Sequence, residues 1–275
     1  INGNPTLCDK NGKFVTDDIA ERDIKCSELY PVPFNWDIEQ WRTFINNWFI
    51  NADKVIFPSY DTFKRFACYY PSLANNSVVS WHPDEISSHP KSLDAYEPGE
   101  KLKILVLGAL SREKGAEKLE LVAKALQNEN IEFHLLGYGY RPLDPAVICH
   151  GRYDHTNIDS KIKEISPHVI WFPAQWAETY SYTLSITLNY GVPIVVPDIG
   201  AFPERMDGYS FSRIVPWDST VDDFKELFKS LANHSPVMMT SPYQYPDKQK
   251  LSSILKHDFY HKHYLDNIAT IKRML

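Results

Sequence analysis

The chain has 275 residues and a mass of 31.8 kDa, enough for two domains or for one large domain with an extension. Hydrophobic residues make up 43% of the sequence and charged residues 23%, a composition that excludes disordered and collagen-like chains. With 29 Lys and Arg against 35 Asp and Glu, the net charge is −6, so the overall basic charge of a nucleic-acid-binding protein is missing.

The spacing of the cysteines and the length of the apolar runs argue against further classes of protein. The four cysteines are far apart and form no C-x-x-C pair, so neither a zinc site nor a disulfide framework is indicated; we expect reduced thiols at Cys8, Cys26, Cys68 and Cys149. The sequence has no apolar run of about 18 residues and no signal-peptide layout. It opens at Ile1 with a polar, turn-rich stretch and no initiator Met, from which we expect a chain cut from a longer one.

The first predicted elements form half of an α/β layer. Apolar residues at helical spacing predict an amphipathic helix from Asp37 to Ile50. ADKVIFPS then predicts a strand, and DTFKRFACYY predicts a helix with its N-cap at Ser59 or Asp61. The segment from Ser80 to Gly99, rich in Pro, His, Ser and acidic residues, is predicted to be a linker.

From about residue 101 to residue 231, continuous apolar runs alternate with helical patterns. Strands are predicted over Lys103–Leu110, Glu132–Gly137, Ala146–Gly151, Val169–Pro173, Pro193–Asp198 and Arg213–Pro216. Helices are predicted over Lys114–Leu126, Asn157–Ile165, Tyr182–Tyr190 and Thr220–Leu231. Strands without polar alternation belong to parallel sheets covered on both faces, so we predict a doubly wound α/β domain that binds its ligand outside the carboxyl ends of the strands.

The first loop after a predicted strand, Gly108 to Gly115, is a candidate anion site. Its small residues allow a ligand to approach the backbone, the helix N-terminus that follows favours an anion, and Lys114 adds a positive charge. The loop matches neither G-x-G-x-x-G nor G-x-x-x-x-G-K-[ST], which argues against NAD and ATP. A solvated lysine in a first helical turn is the alternative interpretation of Lys114.

Two further loops follow predicted strands. The turn from Gly137 to Tyr140 has flat side chains that suit a base or a sugar, and a plain glycine turn is the alternative. In the loop from His150 to His155, Arg152 or a histidine suits a phosphate or a base edge, and Tyr153 suits stacking. A loop whose polar residues are satisfied within the protein explains the second pattern as well.

The fourth loop, Trp176 to Ser185, carries the strongest local pattern. Glu178 can accept hydrogen bonds from sugar hydroxyls, and the small hydroxylated residues after it open a helix whose free N–H groups suit a diphosphate. The alternative is structural: Glu178 favours the helix dipole while Thr179 or Ser181 caps the helix.

Three strings carry a family resemblance. ADKVIFPSYDTFKRFACYYPS, GALSREKGAEKL and AETYSYTLSITLNYGVPIVVPDIGAFPERMDG occur in this order and closely resemble retaining glycosyltransferases of family four, of the GT-B type. The nearest branch resembles the enzymes that assemble bacterial O-antigen and surface polysaccharide. The resemblance covers about Trp36 to Leu231. It implies a Rossmann-like C-terminal domain that binds a nucleoside-diphosphate sugar and an N-terminal domain that binds a glycan or lipid-linked glycan acceptor.

The resemblance also assigns roles to residues. Lys114 neutralises the diphosphate and Glu178 accepts from donor-sugar hydroxyls, while Gly108 and Ala109 allow the diphosphate to approach closely. The phosphates are received by the backbone of Tyr180, Ser181, Tyr182 and Thr183. The nucleoside side of the site is assigned to Tyr138, Arg152 and Tyr153. No metal or other cofactor is expected, because a lysine and a helix N-terminus can stabilise the charge that magnesium stabilises elsewhere.

Two positions depart from the family pattern. Where the family has an Arg one residue after the Gly of the first strand, this chain has Ala109, and Arg112 is the nearby substitute. Eight positions beyond Glu178, where the family has a second Glu that holds the ribose hydroxyls, stands Ile186. Ile186 cannot make this charged hydrogen bond, and its loss costs about 1.5–3 kcal/mol of donor affinity. We therefore expect no carboxylate to bind the ribose at this position.

The predicted organisation is residues 1–90 as the tail of the acceptor domain plus linker, 91–235 as the donor-binding domain, and 236–275 as a helical extension, with most of the acceptor domain absent. The last helices either cross back to the first domain or dock on the donor domain. The resemblance implies a cytoplasmic location, with a peripheral position at the inner membrane face as an option, and no nucleic-acid partner.

Two other functions fit parts of the sequence. One is a non-catalytic, donor-like structural module of a larger polysaccharide-assembly protein, a reading that Ile186 favours. The other is an NAD-type oxidoreductase, which fits the fold but not the loops.

Overall fold

The computed structural model describes residues 38–84, 86–87, 89–234, 243–260 and 262–263. The predictions for the N-terminal stretch, including Cys8 and Cys26, lie outside these residues. The other two cysteines, Cys68 and Cys149, are exposed free thiols.

A small α/β unit comes first. Its elements are helix α1 (Ile38–Asn51), strand β1 (Val55–Phe57), helix α2 (Tyr60–Ala67), a 3₁₀ helix (Pro71–Asn75) and strand β2 (Ser77–Val79). The two strands pair in parallel. Both predicted helices and the first strand are confirmed, and Ser59 is the N-cap of α2, since its hydroxyl accepts from the Thr62 N–H at 3.2 Å.

The larger unit is a six-stranded parallel sheet. Its strands are β3 (Leu102–Leu110), β4 (Ile131–Gly139), β5 (Val147–Cys149), β6 (Val169–Trp171), β7 (Ile194–Pro197) and β8 (Ser212–Val215). Its helices are α3 (Ala116–Ala125), α4 (Ile158–Ile165), α5 (Tyr182–Thr187), α6 (Phe202–Arg205) and α7 (Val221–His234). The spatial order β5-β4-β3-β6-β7-β8 confirms the predicted doubly wound fold and puts its switch point between β3 and β6.

The two faces of this sheet bury separate apolar clusters. Ile104 and Val106 of β3 belong to the cluster that contains Leu119 of α3 and Phe228 of α7. Leu105 of β3 faces the other way and belongs to the cluster that includes residues of α4 and α5. Both faces of β3 are therefore covered, which explains why its sequence is continuously apolar rather than alternating.

Two glycines that the sequence placed at a strand end and in a turn lie inside strands. Gly108 of β3 and Gly137 of β4 are register partners, and both strands continue for two residues beyond them. Their φ values are +120° and +138°, which L-residues with a side chain rarely adopt, and a Cβ on Gly137 would lie 1.9 Å from the Gly108 carbonyl oxygen. The glycines thus mark a close backbone approach within the sheet and not the ends of the strands.

The chain returns to the first unit near its C-terminus. Tyr245 and Leu251, the latter on helix α8 (Lys248–Ile254), are buried in one cluster with residues of β1, α2 and β2. The Lys256 N–H donates to the Val79 carbonyl at 2.9 Å, adjoining the edge of β2. Contacts with the larger unit also exist, because Lys248 pairs with Asp207 at 2.8 Å. The described part of this segment therefore touches both units.

Leu251→Ala tests how much this return stabilises the protein. The side chain is 5% exposed, so we expect the free energy of unfolding to fall by about 2–5 kcal/mol, measured by urea denaturation. Ser252→Ala on the exposed side of the same helix is the control and should change stability little. A loss below about 1 kcal/mol for Leu251→Ala would show that the segment is only loosely attached.

A buried histidine pair makes stability depend on pH. His134 on β4 and His150 after β5 stack, with 2.9 Å between His134 Nδ1 and His150 Nε2. Burial, reinforced by the charge of His150, lowers the pKa of His134 to about 4. The unfolded chain binds this proton near pH 6.5, so the stability present at neutral pH is lost as the pH falls from 6.5 towards 4, by up to about 3 kcal/mol.

His134→Phe should therefore flatten the dependence of unfolding free energy on pH between 6.5 and 4, measured by urea denaturation at each pH. The exposed His89→Gln is the matched control and should leave the slope unchanged. An identical slope in His134→Phe and the wild type would contradict the assignment.

Candidate functional site

The loops that follow β3 and β6 meet at the switch point of the sheet. They line one pocket, whose walls include six residues predicted from the sequence: Gly108, Ala109, Lys114, Glu178, Ser181 and Thr183. This is the place where doubly wound sheets bind their ligands, because two neighbouring strands send their connections to opposite faces there and leave a crevice.

Lys114 and Glu178 form an ion pair in this pocket. Lys114 Nζ lies 3.2 Å from Glu178 Oε1, and the Trp176 indole N–H donates to the same oxygen at 3.1 Å. No described residue donates to Oε2, which keeps its capacity to accept from a ligand. The Glu178 side chain is 14% exposed and that of Lys114 is 42% exposed, so the carboxylate is fixed in the wall while the ammonium remains open to solvent.

Gly115 presses the Lys114 loop against the chain that follows β6. Its φ is +86°, and a Cβ at this position would lie 2.1 Å from the carbonyl oxygen of Pro173. The Gln175 N–H also donates to the Glu113 carbonyl at 2.8 Å. These contacts join the two loops, so backbone packing brings the main chain at Lys114 close to the segment that leads to Glu178.

The residues assigned to the nucleoside side lie at the ends of β4 and β5. The Arg152 guanidinium carbon is 3.8 Å from the centre of the Tyr138 ring, and Tyr138 is the register partner of Ala109 in the pocket wall. Tyr153 is half-buried, and burial raises the pKa of its hydroxyl. Tyr138 and Arg152 therefore stack on each other beside the pocket wall, but neither they nor Tyr153 are among the residues that line the pocket.

Arg112, the nearby substitute for the Arg missing at Ala109, and Ile186, the second departure from the family pattern, both have partners elsewhere. The Arg112 side chain faces Glu117 at 3.4 Å and Tyr140, and it lines a separate cavity between α3 and the start of α7. Ile186 packs against the apolar cluster beneath the sheet. Neither side chain is among those that line the pocket with Lys114.

The sequence interpretation missed a buried arginine behind the pocket. Arg205 of α6 donates to the carbonyl oxygens of Tyr180 and Ser181, at 2.9 and 2.8 Å, and to Asp84 at 3.0 Å. Tyr182, by contrast, is exposed and stacks on His82 with 5.1 Å between ring centres. The buried contacts hold the segment that leads into α5.

The neighbouring Glu204 is also buried and was also missed. It accepts from the backbone N–H groups of Tyr60 and Asp61, both at 3.1 Å, and from the Trp81 indole at 3.0 Å. It thus binds the N-terminus of α2, where a carboxylate is favoured. Burial raises the pKa of Glu204, and these three hydrogen bonds oppose that shift. The sequence signal for both residues was the adjacent charged pair in FPERMDG.

Among the described residues, no group of three or more His, Cys, Asp or Glu side chains could hold a metal ion. None of the described helices has the length and apolar character needed to span a bilayer.

No protein-family model and no curated protein sequence matches this chain. Among solved structures, the lipopolysaccharide outer core galactosyltransferase WaaB matches with a TM-score of 0.55 and 17% identity, over 80% of this chain and 62% of WaaB. Sucrose-phosphate synthase from Thermosynechococcus elongatus matches with 0.57 and 14%, over 88% and 64%. HepE from Anabaena, in complex with UDP and glucose, matches with 0.59 and 12%, over 84% and 67%.

These matches show the fold. The chain has the α/β architecture of GT-B glycosyltransferases. It covers less than two thirds of the length of WaaB and of the synthase.

Proposed function

We propose that this chain carries the donor site of a retaining glycosyltransferase, which transfers a hexose or deoxyhexose from a nucleoside-diphosphate sugar to a glycan or lipid-linked glycan in surface polysaccharide synthesis. The observation that carries the proposal is the Lys114–Glu178 pair, 3.2 Å apart at the switch point of the sheet. A cation beside a hydroxyl acceptor is what a molecule with a diphosphate joined to a sugar requires.

The two side chains bind different parts of the donor. The exposed Lys114 ammonium binds the diphosphate, and Glu178 Oε2, to which no described residue donates, accepts from sugar hydroxyls. The phosphates lie against the backbone of Tyr180–Thr183, with Gly108 and Ala109 leaving room for them. When the donor binds, its phosphates replace the carboxylate as the principal partner of Lys114, because they carry more negative charge.

The anomeric configuration of the sugar is retained because the acceptor attacks from the same face that the phosphate leaves. The bond between the anomeric carbon and the β-phosphate oxygen breaks, and the acceptor hydroxyl oxygen forms its new bond on the same face of the sugar. The acceptor proton passes to the departing phosphate oxygen, so no protein base is needed. Lys114 stabilises the charge that builds on that phosphate, which is the preorganised electrostatic contribution that usually dominates.

The nucleoside is assigned to Tyr138 and Arg152. Their stacked side chains, 3.8 Å apart, offer a flat cationic surface for a base next to the pocket. The complexes of HepE with UDP, in the same fold, support a uridine nucleotide as the first candidate. Ile186 offers no hydrogen bond to a ribose, so we expect the affinity for the nucleoside to come from stacking.

A non-catalytic donor-like module remains the second candidate, on the observation that the partly buried Ile186 packs against the apolar cluster where the family pattern has a carboxylate. Titration calorimetry with UDP, GDP, dTDP, CMP and NAD separates the candidates. Micromolar binding of one nucleoside diphosphate supports the donor site and identifies the base. Binding of none favours the module, and binding of NAD alone would favour an oxidoreductase.

A further inference from the structure

We propose that Asp84 and Arg205 form a buried positioning pair that fixes the Tyr180–Thr183 segment of the donor pocket. The inference rests on the proposed function. Neither residue lines the pocket or was predicted as a site residue, and both act on the ligand only through the backbone that they hold.

The pair joins two distant parts of the chain. Arg205 lies on α6, and Asp84 lies in the segment after β2, 121 residues earlier. The side chains are 1% and 11% exposed, and the guanidinium lies 3.0 Å from Asp84 Oδ2. A buried arginine of this kind needs a full set of acceptors, since burial disfavours its charge and lowers its pKa.

Arg205 finds its other acceptors on the backbone of the pocket. One nitrogen donates to the carbonyl oxygens of both Tyr180 and Ser181, and the other donates to the Ser185 hydroxyl at 2.8 Å. The fixed fork of the guanidinium sets the relative position of these acceptors, which a lysine with a single nitrogen does not do.

These bonds orient the opposite sides of the same peptide groups. In a planar trans peptide, the carbonyl and the following N–H point in opposite directions. With the carbonyls of Tyr180 and Ser181 turned to Arg205, the N–H groups of Ser181 and Tyr182 point away from it. No described residue accepts from either N–H, and Ser181 and Thr183 line the pocket. Arg205 therefore keeps two donors available to a ligand.

The Tyr180–Thr183 segment needs stabilising contacts from other parts of the chain because its backbone is strained. Ser181 has φ +69°, a conformation that is unfavourable for a residue with a side chain. Arg205 bonds the carbonyl on each side of this residue. Asp84 stabilises the segment as well, since its Oδ2 also accepts hydrogen bonds from the hydroxyls of Tyr180 and Ser185. The Tyr180 ring lies 3.9 Å from the guanidinium carbon, so Tyr180 is held through both its ring and its carbonyl.

Arg205→Lys tests the pair, because it keeps the charge and loses the fork. The exposed Arg213→Lys on β8 is the matched control. Far-UV circular dichroism and thermal melting confirm folding. Calorimetry then gives Kd for the nucleoside diphosphate that the wild type binds best among UDP, GDP and dTDP. We expect Arg205→Lys to fold and to raise Kd at least about 10-fold. In a transfer assay it should lower kcat as well as raise KM. Arg213→Lys should leave Kd, kcat and KM unchanged.

A folded Arg205→Lys whose Kd and kcat stay within about twofold of the wild type would overturn the proposal, since a purely structural role lowers only the melting temperature. If Arg205→Lys does not fold, Tyr180→Phe takes its place. It removes only the Tyr180 hydroxyl, whose acceptors are Asp84 Oδ2 and the His82 carbonyl oxygen, and we expect Kd to rise at least about threefold. An unchanged Kd there overturns the proposal too. A wild type that binds none of the three diphosphates overturns the proposed function itself, which distinguishes the two failures.

Discussion

We expect Lys114→Ala to lower kcat/KM for sugar transfer at least about 10²-fold, in line with removing one preorganised charge partner of a transition state. The ammonium lies at the open side of the pocket, with Glu178 at 3.2 Å as its protein partner. Because the charge on the departing phosphate grows as the bond to the sugar breaks, most of the loss should fall on kcat. Steady-state kinetics with the donor that the wild type uses measure both parameters.

Glu178→Ala should cost a similar factor, since the sugar hydroxyls lose their acceptor. The matched control is Lys225→Ala, which removes a partly exposed lysine on α7 that pairs with Asp222 at 2.9 Å. It should leave kcat/KM unchanged. If Lys114→Ala and Glu178→Ala both kept more than a tenth of the wild-type activity, the assignment of the catalytic pair would be wrong.

The second large effect concerns the fold beneath the site. We expect Gly137→Ala to lower the free energy of unfolding by more than about 3 kcal/mol, the sum of a positive-φ penalty and of overpacking against rigid backbone. The new Cβ would meet the Gly108 carbonyl oxygen at 1.9 Å, so β3 and β4 must move apart at the pocket wall. Urea denaturation measures the loss.

Gly99→Ala separates the two contributions to that loss. Gly99 has φ +103°, and a Cβ there meets nothing within 4 Å, so this variant carries the positive-φ penalty without the clash. We expect it to cost about 1–2 kcal/mol. Equal losses in the two variants would contradict the close approach of β3 and β4 at Gly108 and Gly137.

The sheet could be predicted because its physics is local. A strand buried on both faces needs a continuous apolar run, and the runs from residue 103 to residue 215 supplied the six strands in their order. Strand β2, with three residues, and helix α6, with four, were missed, since such short elements take their conformation from neighbours in space. Gly137 was predicted to open a turn, but it is the register partner of Gly108 inside the sheet, and both strands continue for two residues beyond these glycines.

The pocket residues were predictable for a similar reason, and the residues behind them were not. Lys114 and Glu178 each follow a predicted strand, and the carboxyl ends of parallel strands share one edge of the sheet. Arg205 and Asp84 meet only in the folded chain, one in a short charged motif and the other in a predicted linker. No periodicity signals a buried ion pair between segments that far apart.

A crystal structure of this chain with its tightest-binding nucleoside diphosphate would locate the ligand in the fold. We expect the diphosphate between Lys114 Nζ and the Tyr180–Thr183 backbone, with the base against Tyr138 and Arg152. A diphosphate bound in the separate cavity between α3 and α7, with the Lys114–Glu178 pair intact, would contradict it.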